Sequence, residues 1–131
     1  METIAESKGT ILLADDNPGS VTLARSVLEG EGYTVLVVTR SENVFQRAAA
    51  FQPDLILLDI LMPGTDGYEI CRRLKSSQKT RSIPVIFLSV LSKTPDKVRG
   101  FEIGAVDFLT KPVDIPEMLA RVRTHITLYR L

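Results

Sequence analysis

Residues 55–67 read Leu55-Ile56-Leu57-Leu58-Asp59-Ile60-Leu61-Met62-Pro63-Gly64-Thr65-Asp66-Gly67. The first four are aliphatic and leave no polar face. A strand here must be covered on both sides, as in a parallel sheet packed between helices. A buried helix is the other reading of a short apolar run, but the run is too short for one, and the Met-Pro-Gly after it is a turn signal. The strand ends on a carboxylate, Asp59. The same pattern recurs on both sides of it. Ile11-Leu12-Leu13-Ala14 leads to Asp15-Asp16, Val35-Leu36-Val37-Val38 to Thr39-Arg40, Val85-Ile86-Phe87-Leu88 to Ser89, and Val106-Asp107-Phe108-Leu109 to Lys111-Pro112.

Segments with helical spacing separate these runs. Their apolar stripes are Val21, Ala24, Val27 and Leu28; Val44, Ala48 and Phe51; Ile70, Cys71 and Leu74; Val98 and Phe101; and Ile115, Leu119, Val122 and Ile126. Asn17-Pro18 and Thr94-Pro95 read as cap then first helical residue, and Ser41 as an N-cap. Asp114 and Glu117 have capping-box spacing. Gly30 or Gly32, and Gly104, stand where helices should stop. Gly100 lies inside the fourth helix, where it costs about 1 kcal/mol relative to Ala. That helix is expected to be the weakest. Five alternating strand–helix units predict an α/β fold, a doubly wound (βα)5 sandwich around a five-stranded parallel sheet.

The chain has 131 residues, enough for one domain. Residues 1–9 read as a flexible leader and 10–131 as the domain. Apolar content of 44% supports an ordinary core. The single cysteine, Cys71, cannot close an internal disulfide and reads as a small core hydrophobe; no Cys/His cluster suits zinc. Sixteen bases balance sixteen acids, which argues against direct nucleic-acid binding. Nothing reaches the roughly 18 apolar residues of a membrane span, and Met1 to Gly9 is not a secretory signal, so the expectation is a cytoplasmic protein off the membrane.

In an open α/β sheet, ligands bind beyond the carboxyl ends of the strands where the strand order reverses. With order 2-1-3-4-5, the first and third strands are neighbours, and Asp15, Asp16 and Asp59 converge. Lys111 supplies one positive charge, leaving about −2 if each carboxyl keeps an ordinary pKa near 3.9. A divalent ion would neutralise that, and an all-oxygen donor set suits Mg²⁺. A metal-bound carboxylate beside a lysine and a hydroxyl is a site for phosphoryl transfer to Asp. Taken singly, each group has a bland reading. Asp15-Asp16 could be a turn and cap, Asp59 loop punctuation, Ser89 a capping hydroxyl and Lys111 a solvated lysine. The four in this order are far more specific.

Across residues 10 to about 127, the sequence resembles the receiver domain of two-component response regulators. The residues that carry the likeness are Ile11 to Asp16, Leu58 to Gly67, Ser89, and Phe108-Leu109-Thr110-Lys111-Pro112. The resemblance implies the flavodoxin-like version of the predicted sandwich. It implies that Asp59 accepts phosphate, and that Asp15, Asp16, Asp59 and the backbone carbonyl of Leu61 hold Mg²⁺. Ser89 would bond the phosphoryl group, Lys111 would pair with it, and the Lys111-Pro112 bond would be cis. Phe108 matches the aromatic that turns inward as Ser89 moves; without the family it would read as a core aromatic. The donor would be a sensor histidine kinase or a histidine phosphotransfer protein. Output would pass through the face made by the fourth helix, fifth strand and fifth helix, to a partner, a fused domain or a homodimer, the last helix being the other dimer surface.

Two features depart from the usual pattern. Val90 follows Ser89 where a small residue is common, and Leu61 and Leu91 are apolar where polar groups often stand near the attacking water. A long-lived phosphorylated state is expected. His125, on the last helix, has no kinase-like context and reads as a solvated or interface residue. The last helix has no stop signal, which favours a domain of a longer protein over a stand-alone regulator. A flavin module would need a hydroxyl- and Gly-rich loop where two carboxylates stand. A haloacid-type phosphatase needs Asp-x-Asp after the first strand. A P-loop motif is absent. The remaining alternative is a receiver-like interaction module that is not phosphorylated.

Overall fold

The computed structural model describes residues 6–90 and 96–130. The strands are β1 (Thr10–Ala14), β2 (Thr34–Val38), β3 (Leu55–Asp59), β4 (Val85–Val90) and β5 (Asp107–Lys111). The helices are α1 (Pro18–Gly30), α2 (Val44–Phe51), α3 (Gly67–Ser76), α4 (Lys97–Ile103) and α5 (Ile115–Tyr129), with a 3-10 turn at Ser41–Asn43. All neighbouring strands pair in parallel, in the expected order β2-β1-β3-β4-β5. Every residue of β3 is buried, as an unbroken aliphatic run requires.

Strand alternation divides the core in two. Leu12, Ile56, Leu58 and Phe87 pack with Val44 and Ala48 of α2 and Ile70, Cys71 and Leu74 of α3. Leu13, Leu57, Leu88 and Leu109 pack with Ala24 and Leu28 of α1 and Met118, Val122 and Ile126 of α5. Counting on by twos puts Asp15, Asp59 and Lys111 on the α1/α5 side. Ser89 follows Phe87 and falls on the other side, the side of Phe108. The acid–lysine set and the hydroxyl–aromatic pair thus belong to opposite faces and meet only at the strand ends.

Most punctuation is as read. Asn17 accepts from Ser20 N at 2.9 Å and Asp114 from Glu117 N at 3.4 Å. The stops fall at Gly32 and Gly104, both with positive φ, while Gly30 is still helical. Ser41 is a correction. It starts the 3-10 turn and caps no helix, because its hydroxyl bonds the β3–α3 loop instead. Thr94-Pro95 lies outside the described residues; Asp96 caps α4, accepting from Arg99 N at 3.0 Å. Two stripes surface early, with Phe51 53%, Val98 68% and Phe101 49% exposed. α4 has only seven residues, too short to lay a full stripe on the sheet. On α5 the buried contact is Met118 rather than Ile115.

Residues 1–5 of the expected leader, and Leu131, lie outside the described residues. Lys8 N donates to Gly32 O and Thr34 N to Gly9 O, both at 2.9 Å. Among the described residues, no helix is long and apolar enough to cross a membrane.

Candidate functional site

β1 and β3 lie side by side, with Ala14 opposite Leu58, so each strand ends in an acid at the same height. Asp15, Asp16 and Asp59 each bring a carboxylate oxygen within 4.8 Å of the others. Asp15 and Asp59 are buried and Asp16 is exposed, so the cluster opens to solvent on one side. Lys111 reaches in from the end of β5. Its Nζ donates to Asp59 Oδ2 at 2.8 Å and lies 2.7 Å from Asp15 Oδ2.

The backbone fixes the other carboxylate oxygens. Leu61 N donates to Asp59 Oδ1 at 2.9 Å, and Asn17 N to Asp15 Oδ1 at 3.0 Å. Gly67 N closes the β3–α3 loop on Ile60 O at 2.8 Å. A Cβ on Gly67 would sit 2.7 Å from Ile60 Cα, so only glycine permits this close approach. Asp15 Oδ2 is buried, and its close partner is the Lys111 ammonium that Asp59 Oδ2 also uses. Two buried carboxylates that share one ammonium leave negative charge that a further cation would offset.

The electrostatics agree. Burial holds the Asp59 carboxyl above its usual range, and the Asp15 charge adds to that. The hydrogen bonds from Lys111 and Leu61 offset only part of it. Burial would lower the Lys111 ammonium, but contact with Asp15 and Asp59 outweighs it and raises the pKa. One lysine is shared by two buried acids, with a third acid at the rim. This all-oxygen, carboxylate-rich cluster could hold a hard divalent cation.

The family model for the response regulator receiver domain matches residues 11–123. This chain belongs to the response regulator receiver domain family. The receiver is 44% identical, over 86% of its length and 47% of the relative's, to the DNA-binding dual master transcriptional regulator RpaA of Synechocystis sp.. Its fold is similar to the signal receiver domain of a signal transduction histidine kinase from Syntrophus aciditrophicus, with TM-score 0.82 and 38% identity, covering 91% of this chain and 90% of that one. It is also similar to the receiver domain of a sensor histidine kinase from Pseudomonas aeruginosa, a structure with magnesium coordinated in its active-site cleft; the TM-score is 0.83 at 28% identity, covering 91% and 98%. The receiver spans only about a quarter to a half of the length of the curated relatives it matches first.

Within the receiver, Asp15, Asp16, Asp59 and Lys111 come together as the sequence suggested. Leu61 touches the cluster through its backbone N–H, which donates to Asp59 Oδ1, and its side chain is 51% exposed. Ser89 is buried on β4, one residue beyond Leu88, the partner of Asp59. Phe108 is buried between Phe87 and Phe101, with ring centroids 5.3 and 5.2 Å away. The Lys111-Pro112 bond is cis.

Sequence reasoning missed a second charged cluster. Asp107, at the start of β5, is held by Arg121 Nη1 at 2.7 and 2.8 Å and lies 3.0 Å from His125 Nε2. His125 is therefore largely buried against a carboxylate rather than solvated. An acid inside an apolar strand run, with Arg121 and His125 four apart on one helix face, was the available signal.

Proposed function

We propose that Asp59 is the phosphoacceptor of a phosphorelay, in a Mg²⁺-dependent reaction drawing on a phosphohistidine. One observation carries this reading: a buried Asp59 paired with Lys111 inside a cluster of three carboxylates. Asp15, Asp16, Asp59 and the Leu61 carbonyl are the groups that would hold Mg²⁺. When bound, the ion offsets the charge of the carboxylates and of the incoming phosphoryl oxygens. Asp59 attacks phosphorus through a carboxylate oxygen, the P–N bond to the donor imidazole breaks, and the imidazole leaves with the electron pair. Lys111 is placed to pair with a phosphoryl oxygen, exchanging one anion for another. Ser89 supplies a hydroxyl to a second oxygen.

Phosphorylation adds negative charge and three strong acceptors at this point. As Ser89 turns toward them, Phe108, on the same face of the sheet, follows, and the α4–β5–α5 face changes. The donor is a sensor histidine kinase or a histidine phosphotransfer protein. The receiver of a longer protein would pass the change to a fused output domain, or to a second copy through that face or α5. Such a relay operates in the cytoplasm. The complete acid–hydroxyl–lysine set disfavours an interaction module that is never phosphorylated.

Incubation with Mg²⁺ and acetyl phosphate, followed by intact-mass measurement, should add one phosphoryl group to the native protein and none to Asp59→Ala. Beryllofluoride with Mg²⁺ should shift the amide spectrum of the native protein alone. The same response from both proteins would sink the reading.

A further inference from the structure

We propose that Ser41 is a positioning residue for the acceptor loop: its buried hydroxyl pins Pro63 and Thr65 and so holds the Leu61 backbone where a cation needs it. This rests on the Mg²⁺-dependent reading above. Ser41 sits just past β2, two strands from Asp59 in the sheet, and is 4% exposed. Its Oγ donates to Pro63 O at 3.0 Å and accepts from Thr65 N at 3.1 Å, 22 and 24 residues away in sequence. Neither capacity is spent on its own 3-10 turn or on α2.

The fit is tight. Gly64, between the two bonded residues, has φ +96, and a Cβ there would lie 2.6 Å from Ser41 Oγ. The loop thus turns over the hydroxyl with its backbone pressed onto it. Pro63, Gly64 and Thr65 are otherwise exposed. The base of the loop is closed by Gly67 N on Ile60 O, and its start by Leu61 N on Asp59 Oδ1. Ser41 supplies the anchor at the apex, and it comes from a different strand connection. Without it, Pro63 to Thr65 gain freedom, and beyond Leu61 the buried Met62 side chain is the remaining tie of the loop to the core. The cation must then supply part of the order at the Leu61 carbonyl, which weakens binding.

The test compares native protein, Ser41→Ala and Ser41→Thr by Mg²⁺ titration calorimetry, amide hydrogen exchange without Mg²⁺, and acetyl-phosphate labelling across a Mg²⁺ series. In Ser41→Ala, the Mg²⁺ concentration for half saturation should rise roughly three- to ten-fold, the loss of one or two net hydrogen bonds. Exchange at the Thr65 amide should quicken, while the labelling rate at saturating Mg²⁺ should stay close to native. Ser41→Thr, which keeps the hydroxyl, should restore Mg²⁺ affinity. Unchanged Mg²⁺ affinity in Ser41→Ala, with native protein that binds Mg²⁺ and is labelled, overturns the role of Ser41 and leaves Asp59 as the acceptor. A Ser41→Thr protein as impaired as Ser41→Ala assigns the effect to side-chain volume and also overturns it. So does loss of the cooperative melt in both variants, since the residue would then hold the fold. Native protein that neither binds Mg²⁺ nor is labelled removes the acceptor reading and this one together.

Discussion

Asp59 stands where a strand end meets solvent, and its environment disfavours its own charge. Burial raises its carboxyl pKa above the unfolded value near 3.9. Folding therefore favours the protonated form, and the ionised form subtracts from stability at every pH above the folded pKa. That penalty disappears as pH falls from the folded pKa toward the unfolded one. Asp59→Asn carries no such penalty, and Lys111 keeps Asp15 as its partner. With chelator at neutral pH, Asp59→Asn should melt a few degrees above native, and the gap should close on acidification. A variant less stable than native under those conditions contradicts the electrostatics. Gly100 makes the opposite point about local rules. Helix propensity alone favours Ala by about 1 kcal/mol. A Cβ there would sit 2.5 Å from Phe108 Cζ, and Phe108 is wedged against Phe87 and Phe101. Overpacking of this kind costs about 1–3 kcal/mol. Gly100→Ala should be net destabilising by about 1 kcal/mol in urea denaturation, and Phe108→Leu in the same chain should remove most of that cost.

Between elements, two ties hold the face that would carry output. Asp107 anchors α5 to β5 through Arg121 and His125. Burial would raise the Asp107 carboxyl, but the hydrogen bonds from His125 and Arg121 outweigh it and lower the pKa. A lowered folded pKa contributes stability above the unfolded value, lost as pH falls through the folded one. Arg121 is 41% exposed, so screening limits the tie to about 1 kcal/mol. Asp107→Asn should cost that much near neutral pH in urea denaturation, and the difference should shrink once pH drops below about 4. The second tie joins α3 to α4. Tyr68, buried next to the close-packed Gly67, accepts from Asp96 N at 2.8 Å, and Arg99 lies 4.6 Å over its ring. Tyr68→Phe should lower the melt by a few degrees. Exchange at the Asp96 amide should quicken about five-fold, the worth of one net hydrogen bond.

At the scale of the whole domain, phosphate lifetime depends on what surrounds Asp59 from the ends of β3 and β4. Leu61 is half-exposed beside the acceptor, and Val90 is half-buried and paired in register with Lys111. Leu91 lies outside the described residues. Leu61 and Val90 give the hydrolytic water little to bond. The phosphorylated protein should lose phosphate slowly, measured by intact mass after removal of the donor; a half-life of seconds would contradict this. Most of the architecture behind that expectation could be read along the chain. Unbroken aliphatic runs marked the parallel sheet, and the residue after each run marked the site, because strand ends share one edge. Ser41 could not be read this way. As a serine near a helix start it looks like a cap, and only the loop from β3 draws its hydroxyl away. The Asp107–Arg121–His125 tie escaped because Arg121 and His125 alone look like surface residues, and only the packing of α5 on β5 brings them to Asp107. Gly100 looked like weakness and is clearance for an aromatic ring.

The sequence by itself determined the order of strands and helices, the receiver family, and the acids, hydroxyl and lysine of the site, because these follow from local patterning and from which residue ends each strand. Tertiary structure decided the rest. It put the acid–lysine set and the Ser89–Phe108 pair on opposite faces, made Asp15 and Asp59 share one lysine, and turned Ser41 toward the acceptor loop. Each of these depends on distances between residues far apart in the chain, which only the closed sheet and its packed helices fix.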